Sequence, residues 1–450
     1  MSTVAVVGGG WAGMAAAVEL AARGHRVTLL EAAPHLGGRA RRVNWDGLAV
    51  DNGQHMLLGA YKASLQLIER VDPGFAAQAF WRLPMRFSVP GEFSLRLPRL
   101  PAPLHLLAGL LRAQGLRPSD KIALLRGMAR LERQLAGDSA PFTAAAVLQP
   151  QPPRLLAAWW QPLCAAALNT PLQEASAQVF ARVLRAALRG RRGDSDFLLP
   201  RVDLGRILAE PAAGFLRARG ARIITGRRVA SVLPEARSVR LIGRDFDASF
   251  DAAILAAAPR QAALALPAGE PWETLRRGLL NLTAYPIRTA YLRYPQGTCL
   301  PEPLIGLMDE AAHFAFDRGA SHAQAGLIAV VQSAVSGPLG ESSAWARRCH
   351  LVLRRRLANL PEPLACKVIT EKQAAFACVP ELRRPPADTP HPRLMLAGDY
   401  VAGPFPGTLE GAVMAGLQSA TRLSLRLSSE SASRCITQFP LYRKTAWPDA

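Results

Sequence analysis

The string Gly8-Gly9-Gly10-Trp11-Ala12-Gly13 has the residue types and spacing to receive a pyrophosphate. It fits the pattern of three glycines at intervals of two and three. It follows an apolar run, Thr3–Val7, and opens a stretch of helical composition, Trp11–Ala22. Gly8 permits the tight turn. Gly10 lets the backbone come close to a diphosphate at the helix N-terminus, where Trp11 and Ala12 offer free N–H groups. Gly13 lets helix and strand pack closely. Glu31 stands at the end of the next apolar run, Arg26–Leu30, and is placed to bond adenosine ribose hydroxyls. A carboxylate there disfavours a 2′-phosphate.

These residues need a βαβ unit to position them, and the first thirty residues read as one, with Gly24 at the helix C-terminus. From about Tyr61 to Arg201 the pattern is mostly helical, including Leu104–Leu116, Asp120–Leu135 and Ala175–Arg189. Leu204–Arg219 reads as a helix. Ala221–Thr225, Val229–Val232 and Phe250–Ala256 read as strands. A β-rich stretch comes next, with Tyr285–Tyr294 and Gly326–Ser333 its clearest strands. Leu394–Ala397 is a last apolar strand, Gly411–Leu427 a helix, and the final residues a surface tail.

The residues after Glu31 narrow the ligand. Glu31-Ala32, then Gly37-Gly38-Arg39, resembles a stretch of the amine oxidase and phytoene desaturase superfamily of flavoproteins. The resemblance implies that Gly38 passes the FAD diphosphate and that Arg39 lies against it. Near the other end, Leu396-Ala397-Gly398-Asp399 and Pro406-Gly407-Thr408-Leu409-Glu410-Gly411 resemble the closing motif of that family. There the aspartate bonds the ribityl–diphosphate region and the next helix N-terminus faces the flavin. Val229 matches an adenine-contacting strand, and Gln54 is expected at the flavin. The expected fold class is α/β: a discontinuous, Rossmann-like FAD-binding domain (1–60, 202–262 and 391–427) interleaved with a mixed α+β substrate domain. The latter comprises a mostly helical part (61–201) and a β-rich part (263–390), with 428–450 as a C-terminal tail.

Shorter strings resemble one branch, the hydroxysqualene dehydroxylases. They are Asp51-Asn52-Gly53-Gln54-His55, Ala167–Pro171, Ser195–Pro200 and Phe316–Gly319. That branch implies a long-chain isoprenoid substrate, loss of an allylic hydroxyl, and hydride from reduced flavin, with an electron donor that no motif specifies. A carotenoid-type desaturase would run hydride the other way. A non-redox isoprenoid-binding protein of the same fold is a third reading, and an amine oxidase a fourth. His55 is the candidate general acid. It could equally order a loop or bond the flavin. Asp51 reads as structural or flavin-contacting, Asp317-Arg318 as a turn ion pair, and Tyr400 as either packed or lining the flavin face.

The composition narrows the partners. In 450 residues half are apolar and the formal charge is +20, mostly from arginine. No zinc finger, RNP-like box or basic heptad array accompanies that charge, so a nucleic-acid partner is not expected. An anionic membrane surface suits it better. Leu104, Leu107 and Leu111 form one stripe beside Ile122, Leu125 and Met128 with Lys121, Arg126 and Arg130. This reads as an interfacial helix or an ordinary lid or core helix. The six cysteines are scattered and read as reduced thiols, with no metal site. With no secretory signal, the expected location is cytoplasmic, peripheral on the inner face of the membrane.

Overall fold

A computed structural model describes residues 1–135 and 140–437. One part is built on a five-stranded parallel sheet in the order Arg222–Ile224, Arg26–Leu30, Thr3–Val7, Ala252–Leu255, Leu394–Leu396. The chain winds outward from Thr3–Val7 first to one side and then to the other. That reversal opens a crevice at the carboxyl ends of the two middle strands, where ligands of open α/β sheets bind.

The strands are near-continuous apolar runs because both faces of the sheet are covered. Val4, Val6, Leu29, Ile254 and Met395 pack under the helix Trp11–Ala22 and the C-terminal helix. Ala5, Val7, Leu255 and Leu396 face the opposite core, which includes Val232, Val239 and Leu241 of an antiparallel three-stranded meander. The two covering helices cross at Gly416, where a Cβ would lie 2.2 Å from Ala12 O.

A second five-stranded sheet is antiparallel, in the order Leu304–Asp309, Ala312–Asp317, Leu327–Gln332, Ala284–Arg293, Ala365–Phe376. Alternation along its strands splits the side chains between two cores. Ala290, Leu292, Ile328 and Val330 face Trp345, Cys349 and Leu353 of the helix Ser342–Arg356. Tyr291, Phe314, Phe316 and Ala329 turn the other way, toward Trp45, Val50, Leu83 and Phe197.

Several elements depart from the sequence expectation. The region 61–201 holds helices at Leu104–Arg112, Pro118–Arg133 and Ala177–Leu188. It also contains the short strands Phe80–Leu83, Arg86–Val89, Phe93–Arg96 and Phe197–Pro200. Strands this short show too few alternations to stand out in a sequence. The helix expected over Leu204–Arg219 opens with wide π-type turns at Gly205–Ala209 before the α-helix Glu210–Ala218. Pro211 has no N–H to donate to the preceding turn, which loosens it. The last helix runs Leu409–Thr437, past the expected end at Leu427. Residues 428–437 contain neither proline nor glycine, and Arg393 pairs with Glu430. The rest of the expected tail, 438–450, lies outside the described residues.

Candidate functional site

Gly8 and Gly13 sit where the backbone leaves no room for a side chain. Gly8 has φ +111°, and a Cβ there would lie 2.5 Å from Ala256 O. A Cβ on Gly13 would lie 1.8 Å from Gly8 O, so strand and helix approach as closely as backbones allow. Gly10 differs. The nearest protein atom to a Cβ there is Gly38 Cα at 3.8 Å. Gly10 is the N-cap of Trp11–Ala22, with no side-chain cap and no carboxylate in the first turn. The positive end of that helix is therefore left to an anionic group. Trp11 is buried, and its Nε1 has no partner among the described residues.

Glu31 closes the other side of the turn. Its Oε2 accepts from Gly9 N at 2.6 Å and its Oε1 from Ala33 N at 2.7 Å. Each oxygen keeps a lone pair for a hydroxyl donor. Arg227 N donates to Glu31 O at 3.0 Å, which brings the start of the strand Val229–Glu235, and so Val229, to the same rim.

The N-terminal and C-terminal motifs meet in one contact. Arg39 Nη2 lies 2.6 Å from Asp399 Oδ1, and its Nη1 donates to Ala374 O at 2.5 Å. Burial opposes the guanidinium charge, but the Asp399 carboxylate outweighs it and raises the Arg39 pKa. Gly38, at φ +61°, touches the Gly10 turn: a Cβ on it would lie 3.0 Å from Gly10 Cα. Gly398 leaves room for the Tyr400 ring, which a Cβ would meet at 2.4 Å. Tyr400 is packed, donating to Ala257 O at 3.1 Å. Gly407 N donates to Asp399 O. Thr408 then caps the last helix, its hydroxyl accepting from Gly411 N at 3.0 Å, with Leu409 the first helical residue.

His55 follows the hairpin Arg42–Trp45 and Leu48–Asp51. Its Nδ1 lies 2.9 Å from Gly53 O. A carbonyl only accepts, so Nδ1 carries the hydrogen and Nε2 a lone pair. Burial lowers its pKa to about 4, against the pull of Gly53 O, and Arg39 adds to the lowering. The imidazole is neutral near pH 7.

Behind it lies a buried network that the sequence reading missed. Arg318 is fully buried. Its Nη1 donates to Gln54 Oε1 at 2.9 Å and lies 3.5 Å from Asp51 Oδ2, and its Nε donates to Gln324 Oε1 at 2.6 Å. Asp51 Oδ1 accepts from Leu204 N at 2.8 Å. Burial raises the Asp51 carboxyl to about 6, although Arg318 and Leu204 N pull it down. The Gln54 amide, expected at the flavin, is engaged at both ends, its Nε2 donating to His55 O at 3.3 Å. Asp317 is not the partner of Arg318: it caps the helix Arg318–His322 through Ala320 N and accepts from Leu300 N. Among the described residues no cluster of ligands could hold a metal ion.

An uncapped helix N-terminus, the open approach at Gly10, the orphan Trp11 Nε1 and a paired Arg39–Asp399 across one crevice fit a flavin cofactor. The family model for flavin containing amine oxidoreductase matches residues 11–424. Hydroxysqualene dehydroxylase from Zymomonas mobilis is 28% identical over 94% of this chain and 99% of its own. The Rhodopseudomonas palustris enzyme of that name is 30% identical over 93% and 97%. A zeta-carotene desaturase from Zea mays is 33% identical, but over 26% of this chain and 21% of its own. Among solved structures, an oxidoreductase from Methanosarcina mazei superposes with a TM-score of 0.70 at 15% identity, covering 93% of this chain and 99% of its own, which speaks for the fold. The chain belongs to the flavin containing amine oxidoreductases and, within them, to the hydroxysqualene dehydroxylase family.

Proposed function

We propose that the chain is an FAD-dependent dehydroxylase that takes a hydride from a two-electron reductant and a proton to convert hydroxysqualene into squalene and water, leaving the reductant oxidised. One observation carries the reading. Hydroxysqualene dehydroxylases align along more than nine-tenths of this chain, whereas the maize desaturase aligns along about a quarter. FAD, rather than a mononucleotide flavin, suits a site with Glu31 at a ribose position beyond the Gly8–Gly13 turn.

Gly8, Gly10, Trp11, Ala12 and Gly13 would hold the diphosphate, with Gly38 and Arg39 closing over it. Glu31 would take the adenosine ribose, and Val229 the adenine. Asp399 would take the ribityl side, and Thr408 and Leu409 would set the helix N-terminus toward the ring. Gln54 would reach the cofactor through its backbone carbonyl, since its side-chain amide is engaged with Arg318 and His55 and its N–H with Thr289 Oγ1. When bound, the flavin supplies two-electron redox chemistry and in its reduced form delivers hydrogen to carbon.

The protein supplies the proton. Protonating the allylic hydroxyl makes water the leaving group and leaves a delocalised cation. His55 is the proposed donor, through Nε2. With its pKa lowered to about 4 by burial, the imidazolium is a minor form near pH 7 but a stronger acid than a free one. Phe87 joins two apolar cores, its ring centroid 5.0 Å from Trp159, 5.4 Å from Phe93 and 5.8 Å from Phe314. A substrate that dissolves in bilayers also calls for peripheral contact with an anionic membrane on its cytoplasmic side.

The test is anaerobic mixing of photoreduced holoenzyme with hydroxysqualene. The flavin should reoxidise without oxygen while squalene appears in equal amount. The rate should rise as pH falls toward about 4. His55→Ala should slow reoxidation about 10²–10⁴-fold with FAD still bound. A reduced flavin untouched by hydroxysqualene, in a protein whose oxidised form dehydrogenates phytoene-like polyenes, would give the desaturase reading its place.

A further inference from the structure

The helix Leu104–Arg112 buries a narrow side and exposes its leucines. His105, Gly109 and Leu110 face inward. A Cβ on Gly109 would lie 2.6 Å from the Leu97 side chain and 3.0 Å from Arg96 O, so the helix is pressed onto the chain beneath it. Leu104, Leu107 and Leu111 are 55%, 42% and 77% exposed. Their spacing of three and four residues puts them on one stripe. Leu100, just before the helix, and Ile122, in the next one, are exposed as well. Lys121 Nζ donates to Leu111 O at 2.9 Å, which holds the second helix beside the first. Single exposed leucines are ordinary on any surface. A set of this size on neighbouring elements is not.

The charge around this face is predominantly basic. From residue 93 to residue 131 the only carboxylate in the sequence is Asp120, which is buried and accepts from Arg117 N. Arg99, Arg112, Arg117 and Arg126 are exposed and have no ion pair among the described residues. Beside the stripe lies a groove of about 310 Å³ lined by Arg82, Arg99, Leu100, His105, Arg191 and Arg192. Arg82 is paired with Asp196. Arg99, Arg191 and Arg192 are left to an outside anion. No helix among the described residues is long and apolar enough to cross a membrane.

We propose that this face docks the protein on an anionic phospholipid bilayer. Leu104, Leu107 and Leu111 enter the interface, and the arginines around them hold phosphate headgroups, those of the groove among them. Apolar area and basic charge on one surface are the two terms that bind an interfacial helix to acidic lipid. The purpose assigned to docking, access to a lipid-dissolved substrate, rests on the dehydroxylase reading. The docking itself does not need turnover to be seen.

The test uses the full-length holoprotein and flotation with vesicles of phosphatidylcholine alone or with one-third phosphatidylglycerol. Wild type should float with the anionic vesicles, less so at high salt, and not with the neutral ones. The triple variant Leu104→Ser, Leu107→Ser, Leu111→Ser should partition about tenfold or more weakly. Arg191→Glu with Arg192→Glu should weaken anionic binding and flatten its salt dependence. Both variants should keep full flavin occupancy and, with substrate in detergent micelles, wild-type turnover. Loss of turnover in wild type with docking intact would count against the dehydroxylase reading alone. Hydrogen exchange should slow in Leu104–Arg112 when anionic vesicles are added. Equal flotation of the triple variant would overturn the proposal. So would a change in oligomeric state of that variant without lipid, with vesicle binding unaltered, because the face would then belong to a second copy.

Discussion

Gly10 is the residue at which a side chain should do most harm for the least disturbance of the fold. A Cβ there meets nothing nearer than 3.8 Å in the protein, in contrast to Gly8 and Gly13, where backbone atoms stand within 2.5 Å. Gly10→Val should therefore leave a folded protein that purifies without flavin, because the branched side chain fills the diphosphate approach. Flavin absorbance per folded protein measures this. Full occupancy in Gly10→Val would move the cofactor elsewhere. Wild type should release its flavin intact on denaturation, since no motif places a residue for covalent attachment. The close backbone approaches at Gly8 and Gly13 were legible because turn and packing geometry demand glycine there, whereas the pairing of Arg39 with Asp399, 360 residues apart, was not. Nor was Arg318. It stands 267 residues from Asp51 and 264 from Gln54, and no local pattern says which carboxylate a buried arginine will meet. The neutral His55 was hidden for a related reason. Its type suggested a group titrating near neutrality, and burial moved it.

The last helix shows how one element serves two sites. Its first turn is capped by Thr408, whose Oγ1 accepts from Gly411 N at 3.0 Å. Glu410 points out of that turn and caps another helix, accepting from Ala63 N and Ser64 N at 2.8 and 2.9 Å and from the Ser64 hydroxyl at 2.7 Å. Thr408→Ala should cost about 1 kcal/mol of stability, the usual cost of losing such a cap. It should also weaken flavin retention, since the same turn is proposed to face the ring. Urea denaturation of apo and holo protein separates the two effects. A loss confined to the holo form would assign Thr408 to the cofactor alone, and no loss in either would show the cap to be dispensable. Elements of this length were readable from apolar periodicity and their flanking glycines. The strands Arg86–Val89 and Phe93–Arg96 were not. They gain their identity from pairing with each other and from packing under Leu104–Arg112, which are tertiary facts.

For the molecule as a whole, burial of histidine sets the response to acid. Of eight histidines, His25, His55, His105, His313, His322 and His391 all have lowered pKa values, with desolvation the largest cause at each. His55 and His313 fall to about 4 and His322 to about 3. A histidine whose folded pKa is depressed takes up its proton more readily in the unfolded chain. Its contribution to stability is complete above about pH 6.5 and is lost as pH falls through the window down to the folded pKa. Asp51 has the opposite sign. Raised to about 6, it binds a proton more readily when folded, and so favours the fold as pH drops from about 6 toward 4. One raised carboxyl faces six lowered imidazoles, so the histidines dominate. The midpoint of thermal unfolding should fall as pH is lowered from 6.5 to 4, and a series of melts across that range checks it. Asp51→Asn should steepen the fall, because it removes the opposing group, and would do so even if the buried amide lowers stability throughout. A midpoint that holds level or rises on acidification would mean that these imidazoles are open to water in solution.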